Sequence, residues 1–386
     1  MLLHFVIDEK VTDQIIENFS KVDKTSRFLV FVENKNEPYQ YITSRAGSLI
    51  KFNEASNNIN NLVQELQVTA ILMHACHLEY ARVINALTVN LKIAWYPWGF
   101  DIYGLPRIKP QTYAYFTNKY LINTVKNLRL GRLILKNRCT RDLYFKIDTR
   151  EKDRYTTIFK ALKKVDYFVS YLQEDFECFS KYYPNKFQFI YSPFSTLNQY
   201  LGGNEHLTLQ TDATHILIGN SNSIESNHVD VFSFLAKQQL HNNIKLYTPL
   251  SYGDNPKYKA YVLKEGKAHF KDNFVPLLDF MPRQDYLKIL ASCSTGIFYH
   301  YRQQAMGNII AMLYLGCRVY LSEKNPAFNF FRTKNITIFN LETDFPKFKN
   351  TKLEAAVVTE NRQQLRAIFS ENAVLQNINM LIKTIM

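Results

Sequence analysis

Cysteine is scarce: Cys76, Cys139, Cys178, Cys293 and Cys317 are the five in 386 residues, widely spaced and without a C-x-x-C pair. That usage fits reduced thiols and argues against a zinc ribbon or a disulfide scaffold. No run of about eighteen apolar residues occurs, so no transmembrane helix is expected. Residues 1–7 are too short an apolar stretch, too soon followed by Asp8 and Glu9, to act as a signal peptide. A cytoplasmic protein is the expectation. Acidic residues are in deficit, 34 against 47 Lys and Arg, which leaves a net charge of +13. Such a surplus suits nucleic acid, an anionic membrane surface or an anionic substrate, and its distribution must choose among them.

What is present is an α/β rhythm in a chain long enough for two domains. Residues 3–7, 28–32, 68–74 and 91–96 are short, nearly continuous apolar runs, the pattern of parallel strands covered on both faces. Helical spacing falls at 12–19 and 55–66. Residues 166–170, 174–182 and 187–191 read as strand, helix, strand, after which the sequence loosens over 193–211. The rhythm restarts with a strand at 214–218, a helix at about 227–240, strands at 244–247 and 273–276 with a helix near 256–264 between them, and a last strand at 336–339. Two domains, 1–195 and 196–360, are predicted, with one or two C-terminal helices over 361–386 packing back on the first.

The chain is organised around residues 280–331. Helical spacing at 284–291 and 303–314 alternates with strands at 295–299 and 318–321, which makes a βαβ unit. In parallel sheets a ligand sits beyond the carboxyl ends of the strands, where the next helix presents free N–H groups to an anion. His300, Arg302, Gln303, Gln304, Gly307 and Asn308 fall at that place. The turn Gly219-Asn220-Ser221 after residues 214–218 has the same geometry, and Tyr252 and Gly253 follow another strand. In the first half, His74, Cys76 and His77 follow one strand, and Trp98, Gly99, Asp101 and Tyr103 follow the next. His74 or Asp101 can accept a proton if suitably desolvated. Two histidines and a cysteine without a further ligand nearby do not make a metal site.

Residues 118–164 differ in character, because Lys119, Lys126, Arg129, Arg132, Lys136, Arg138, Arg141, Lys146 and Arg150 interleave with Leu128, Leu130, Leu133, Ile134 and Leu135. Lys and Arg near an anionic bilayer contribute about 1 kcal/mol each, and aliphatic side chains can enter the interface. The plainer alternative is a solvated helix pair packed on the sheet.

Residues 218–221, 250–253 with Tyr258, and 300–309 resemble the enterobacterial-type 4-acetamido-4,6-dideoxygalactose transferases, which move that sugar from a dTDP donor onto a polyprenyl-diphosphate-linked oligosaccharide. The resemblance is clearest over 214–331 and extends more thinly to 71–104. It implies a GT-B fold, two Rossmann-like domains facing across a cleft. It also implies a donor site of Gly219, Asn220, Ser221, Tyr252, Gly253, His300, Arg302, Gln303, Gln304, Gly307, Asn308 and Glu323. His77, Trp98, Gly99 and Tyr103 would bind the acceptor, and His74 or Asp101 would act as base. Ile310 stands where many retaining GT-B enzymes carry a Glu, which leaves Glu323 as the carboxylate for ribose hydroxyls. With no Asp-x-Asp to hold a metal, Arg302 and helix N-termini must neutralise the leaving diphosphate, so no cofactor is expected. The expected place of work is the cytoplasmic face of the membrane, with no nucleic-acid partner. A basic nucleic-acid-binding protein and a sugar-nucleotide epimerase are the competing readings. The concentration of charge in one Leu-rich segment speaks against both.

Overall fold

Short β-branched and aromatic runs form two all-parallel sheets in the computed structural model. It describes residues 1–44, 48–54, 57–125, 128–148, 153–241, 243–253, 255–349 and 351–386. The chain divides into one unit of residues 1–108, 130–196 and 371–386 and another of 109–129 and 197–370. The division thus falls at 196/197 and at 370/371, and it counts residues 109–129 of the basic region's approach with the second unit.

The first unit holds β1 (Leu2–Ile7), β2 (Arg27–Phe31), β3 (Leu49–Phe52), β4 (Ala70–His74), β5 (Lys92–Tyr96), β6 (Tyr167–Ser170) and β7 (Gln188–Tyr191), in the order β3-β2-β1-β4-β5-β6-β7. Its two faces bury separate clusters. Phe5, Ile71, Trp95 and Phe168 lie under one set of helices, and Val6, Leu72, Ala94 and Val169 under another. The helix Glu371–Ile385 belongs to the second set. Its Val374, Ile378, Leu381, Ile382 and Ile385 repeat at helical spacing and are buried against the first unit's core. Burial of each such side chain stabilises by about 1.5–3 kcal/mol, and Lys21 pairs with Glu371 at 2.8 Å.

The second unit holds β8 (His215–Ile218), β9 (Leu246–Pro249), β10 (Phe274–Leu277), β11 (Cys293–Phe298), β12 (Arg318–Leu321) and β13 (Phe339–Asn340), in the order β10-β9-β8-β11-β12-β13. The helix Met306–Leu315 is buried along nearly its whole length. It packs so closely on β11 that a Cβ at Gly296 would stand 2.6 Å from the Met312 sulfur. Both sheets reverse their winding once, between β1 and β4 and between β8 and β11. The crevice at such a reversal is where doubly wound sheets bind ligands.

Several expectations shift in position. The helix expected from 303 starts at Met306, because Ala305 takes a left-handed φ of 64° and residues 299–304 wrap as a loop before it. The helix expected to reach 240 ends at Leu235, and the strand expected over 336–339 is the two-residue Phe339–Asn340. β3 escaped the sequence reading because it is a four-residue edge strand isolated between polar stretches. The basic region is four helices, Tyr115–Thr124, Leu128–Lys136, Arg138–Asp148 and Arg154–Leu162. Lys126, Arg150 and the expected helix start at Ala55 lie outside the described residues.

Candidate active site

At the β8/β11 switch point two loops meet. Ile218 pairs with Ile297 in the sheet register, and the Gly219 N–H donates to the Ile297 carbonyl at 2.9 Å, so both strands end at the same level. Gly219 has a φ of 69°, and a Cβ there would stand 2.8 Å from His228 Nε2. Only glycine takes that turn without displacing the histidine. The Asn220–Ser223 loop then runs against the Ser251–Gly253 turn, with the Asn222 N–H donating to the Tyr252 carbonyl at 2.7 Å. A Cβ at Gly253, φ 113°, would fall on Asn222 Oδ1.

Gln304 joins the loops. Its Nε2 lies 2.8 Å from Asn220 Oδ1, 2.9 Å from Ser223 Oγ and 3.3 Å from both Ser221 Oγ and Ser226 Oγ. Two N–H groups thus have four oxygens to choose from. Gln304 Oε1 accepts from Arg302 Nε at 2.8 Å, which aims a guanidinium across the mouth of the switch point. Beyond it the Met306–Leu315 helix begins with Gly307 in its first turn, where an added Cβ would find only Tyr200, 3.8 Å away. That bare first turn leaves unsatisfied N–H groups open to an anion. Asn308 is held by Tyr286, its Nδ2 donating to the phenol oxygen at 2.8 Å.

Beneath this surface His228 and His300 are fully buried, and among the described residues neither ring nitrogen of either has a hydrogen-bond partner. Burial holds His228 down to about 3. It also holds His300 far below neutrality, with the charge of Arg302 adding to the effect. Both are neutral imidazoles. Asn222 Oδ1 and Gln303 Oε1 are likewise buried without a hydrogen-bond partner among the described residues. Buried polar atoms are rarely left so, and their concentration here marks a place shaped for polar contacts. Tyr252 is largely exposed at the rim, and Glu323 is exposed in the turn after β12, beside Lys324, whose Nζ lies 4.5 Å from the Tyr301 ring.

The first unit's residues are placed differently. His74 is fully buried, and burial lowers its pKa to about 3. Ser26 Oγ gives its hydrogen to Asp23, so it accepts from His4 Nε2, leaving His4 Nδ1 to accept from His74 Nε2 at 3.0 Å. One tautomer is thereby fixed for each ring, and His74 Nδ1 is a buried acceptor without a partner among the described residues. With no exposed surface, His74 ties β1 to β4 rather than meeting a hydroxyl. Asp101 is also buried. Its Oδ2 accepts from the Cys76 N–H at 2.9 Å and Trp95 Nε1 at 2.8 Å, and its Oδ1 from the Trp98 N–H at 3.0 Å. Desolvation nevertheless raises its pKa to about 6. It locks the loops after β4 and β5 together, and Tyr103 of the same loop is buried with its OH on Asp175 at 2.7 Å. Gly99, at a φ of 90°, caps the short helix Phe100–Tyr103. Trp98 is half-buried, its indole N–H without a partner among the described residues.

His77 is the half-buried member of this edge, packed on Tyr80 and Phe100. Burial lowers its pKa while the Glu79 charge raises it. The sequence reading passed over Glu79, and over a 680 Å³ cavity at the ends of β1, β2 and β3 that Glu33, Glu54, Glu79 and Arg82 border. Its signal was faint, one carboxylate just inside a helix start and two in loops.

Over residues 140–383 the sequence matches the family described as 4-alpha-L-fucosyltransferase, glycosyl transferase group 56. Solved structures that share the fold include a glycosyltransferase from Rickettsia africae (12% identity, 100% of this chain and 98% of that one covered, TM-score 0.64). Sucrose-phosphate synthase from Thermosynechococcus elongatus is another (11%, 100% and 98%, 0.63), and HepE from Anabaena in complex with UDP-glucose a third (12%, 100% of both chains, 0.58). At such identities the likeness is one of fold, and that fold is GT-B. The family match spans more than half of the chain, so the protein belongs to the 4-alpha-L-fucosyltransferase family, glycosyl transferase group 56, and is a glycosyltransferase.

Proposed function

We propose that the protein transfers a 4-acetamido-4,6-dideoxyhexose from a dTDP-sugar to a polyprenyl-diphosphate-linked glycan at the cytoplasmic membrane face, without a metal. The observation that carries the donor half is the meeting of Arg302, Gln304, the Gly219–Ser221 turn and the bare start of the Met306–Leu315 helix at one switch point. In transfer, the bond from the sugar's anomeric carbon to the β-phosphate oxygen breaks, a bond to the acceptor oxygen forms, and dTDP leaves with the extra charge. Arg302 and the helix N–H groups neutralise that charge as it grows. The acceptor hydroxyl's proton passes to a base at the carboxyl edge of the first sheet. His77 suits that role better than the buried His74 and Asp101, which position the loops around it. Tyr252 borders the base or ribose, and Glu323 accepts from the ribose hydroxyls. The family description, a transferase of the 6-deoxyhexose fucose, supports a deoxysugar.

The basic helices support the membrane half. Leu130 and Leu133 on one helix, and Leu143 and Ile147 on the next, are 56–71% exposed. Arg129, Lys136, Arg138 and Lys146 stand among them, and among the described residues no helix is long and apolar enough to cross a membrane. The test is transfer of radiolabelled 4-acetamido-4,6-dideoxygalactose from dTDP to a polyprenyl-diphosphate oligosaccharide in the presence of EDTA. Transfer that Arg302→Ala abolishes supports the reading, and transfer only from another nucleotide or only with added metal contradicts it.

A further inference from the structure

A second cavity, about 610 Å³, opens in the first unit. Val165 of its lining lies two residues before β6, and Phe187 lies immediately before β7. It therefore lies at the amino edge of the sheet, away from the loops after β4 and β5 that the transfer reaction uses. Its floor is apolar. Leu162, Val165 and Phe179 are buried, and Phe179 stacks on Phe187 with ring centres 5.7 Å apart. Its rim is cationic: Arg107, Lys136, Arg138, Lys163 and Lys186 surround the opening. Arg141 also lines it but is neutralised by Asp153 at 2.7 Å. Among the described residues none of the five has a carboxylate partner.

Five cations without a carboxylate partner among the described residues, held around an apolar floor, are unfavourable to one another, and an anion between them relieves that repulsion. The floor asks for hydrocarbon. The size is that of a small-molecule site. Lys136 and Arg138 sit at the junction of the two helices that expose Leu130, Leu133, Leu143 and Ile147.

We infer that this cavity takes the phosphate headgroup and adjoining chain of one anionic bilayer phospholipid. It would be a stoichiometric lipid site that adds to the diffuse contact of the helices and holds the enzyme at the membrane in a defined orientation. The inference rests on the membrane reading of those helices, and the two can be separated. Short-chain dihexanoyl phosphatidylglycerol, used below its micelle concentration, is titrated calorimetrically into the full chain. The expected result is one molecule per chain, with affinity at least tenfold lower in Lys163→Glu/Lys186→Glu and unchanged in Leu133→Ser/Ile147→Ser. Both lysines are exposed, so the double variant should fold. In co-sedimentation with phosphatidylglycerol vesicles, Leu133→Ser/Ile147→Ser should be released. If Leu133→Ser/Ile147→Ser stays on the vesicles while the short-chain lipid binds, the helix reading fails and the cavity stands; if the native chain binds no vesicles, both fail. The cavity assignment is overturned by short-chain lipid binding that ignores the lysine reversals. It is equally overturned if inorganic phosphate competes as well as the lipid, which marks a free-anion site, or if farnesyl phosphate binds more tightly, which marks an isoprenoid site.

Discussion

Gln304→Glu separates the donor site from the fold more sharply than any truncation. In the protein Gln304 Nε2 donates into a set of oxygens, three of them Ser hydroxyls, while Oε1 accepts from Arg302. A glutamate keeps the Arg302 contact and strengthens it, since a charge-assisted bond is about twice as strong as a neutral one. The Ser221, Ser223 and Ser226 hydroxyls can turn to donate, and the Asn220 amide can flip. The fold should therefore lose no more than about 1 kcal/mol. The ligand meets a different situation. A carboxylate about 5 Å from a phosphoryl charge, at an effective dielectric of about 20, opposes it by about 3 kcal/mol, and it also cancels the Arg302 charge. Discounting half for solvent at this half-buried place still leaves about 1.5 kcal/mol for each phosphoryl charge. Binding of dTDP, measured by calorimetry, should weaken about 100-fold, with the melting temperature shifted by less than about 3 °C. An unchanged dissociation constant in a folded variant would refute the placement of the diphosphate.

Gly307→Ala should leave the melting temperature equal or higher, because a helical alanine is favoured by about 1 kcal/mol and the added methyl meets only Tyr200. It should weaken nucleotide binding severalfold by standing over the helix start; unaltered binding would place the diphosphate elsewhere. Asp101→Asn should cost about 2–3 kcal/mol in urea unfolding at pH 7.5, where the carboxylate is ionised, since one of three donors loses its acceptor. The folded carboxyl titrates at about 6 against an ordinary value near 4, so the folded state binds the extra proton and this group's contribution falls as pH rises through that window. The variant should lack that component, and an identical pH profile would contradict the assignment. His4, His74, His228 and His300 act in the opposite sense. All are held below their ordinary value by burial, so the unfolded chain takes up protons that the folded one refuses. Stability should fall by up to about 5 kcal/mol per pH unit below about 6.5, at about 1.4 kcal/mol for each. Urea midpoints that stay level between pH 6.5 and 5 would show that these rings are protonated in the fold.

The sheets were largely legible because most strand cores are short apolar runs bounded by polar turns, as in β1, β4 and β8. The switch-point loop was legible for a different reason: Arg302, Gln304 and Asn308 are costly at an ordinary helix start, so their presence pointed to a ligand. What the sequence could not carry was burial. His74 and His77 stand three residues apart and look alike as text. Only the fold sets one into a two-histidine hydrogen-bond chain and leaves the other at the edge. Asp101 read as a candidate base for the same reason, since its partners Cys76 and Trp95 lie 25 and 6 residues away. The lipid cavity was invisible because its cations come from five separated positions between 107 and 186, and their convergence is a product of topology.

Calorimetry with dTDP, UDP and GDP in EDTA, on the native chain and on Arg302→Ala, tests the central claim most directly. The account predicts micromolar dTDP binding that the substitution weakens tenfold or more, about 1.4 kcal/mol. Failure of all three nucleotides to bind, or dTDP binding indifferent to Arg302, would contradict it.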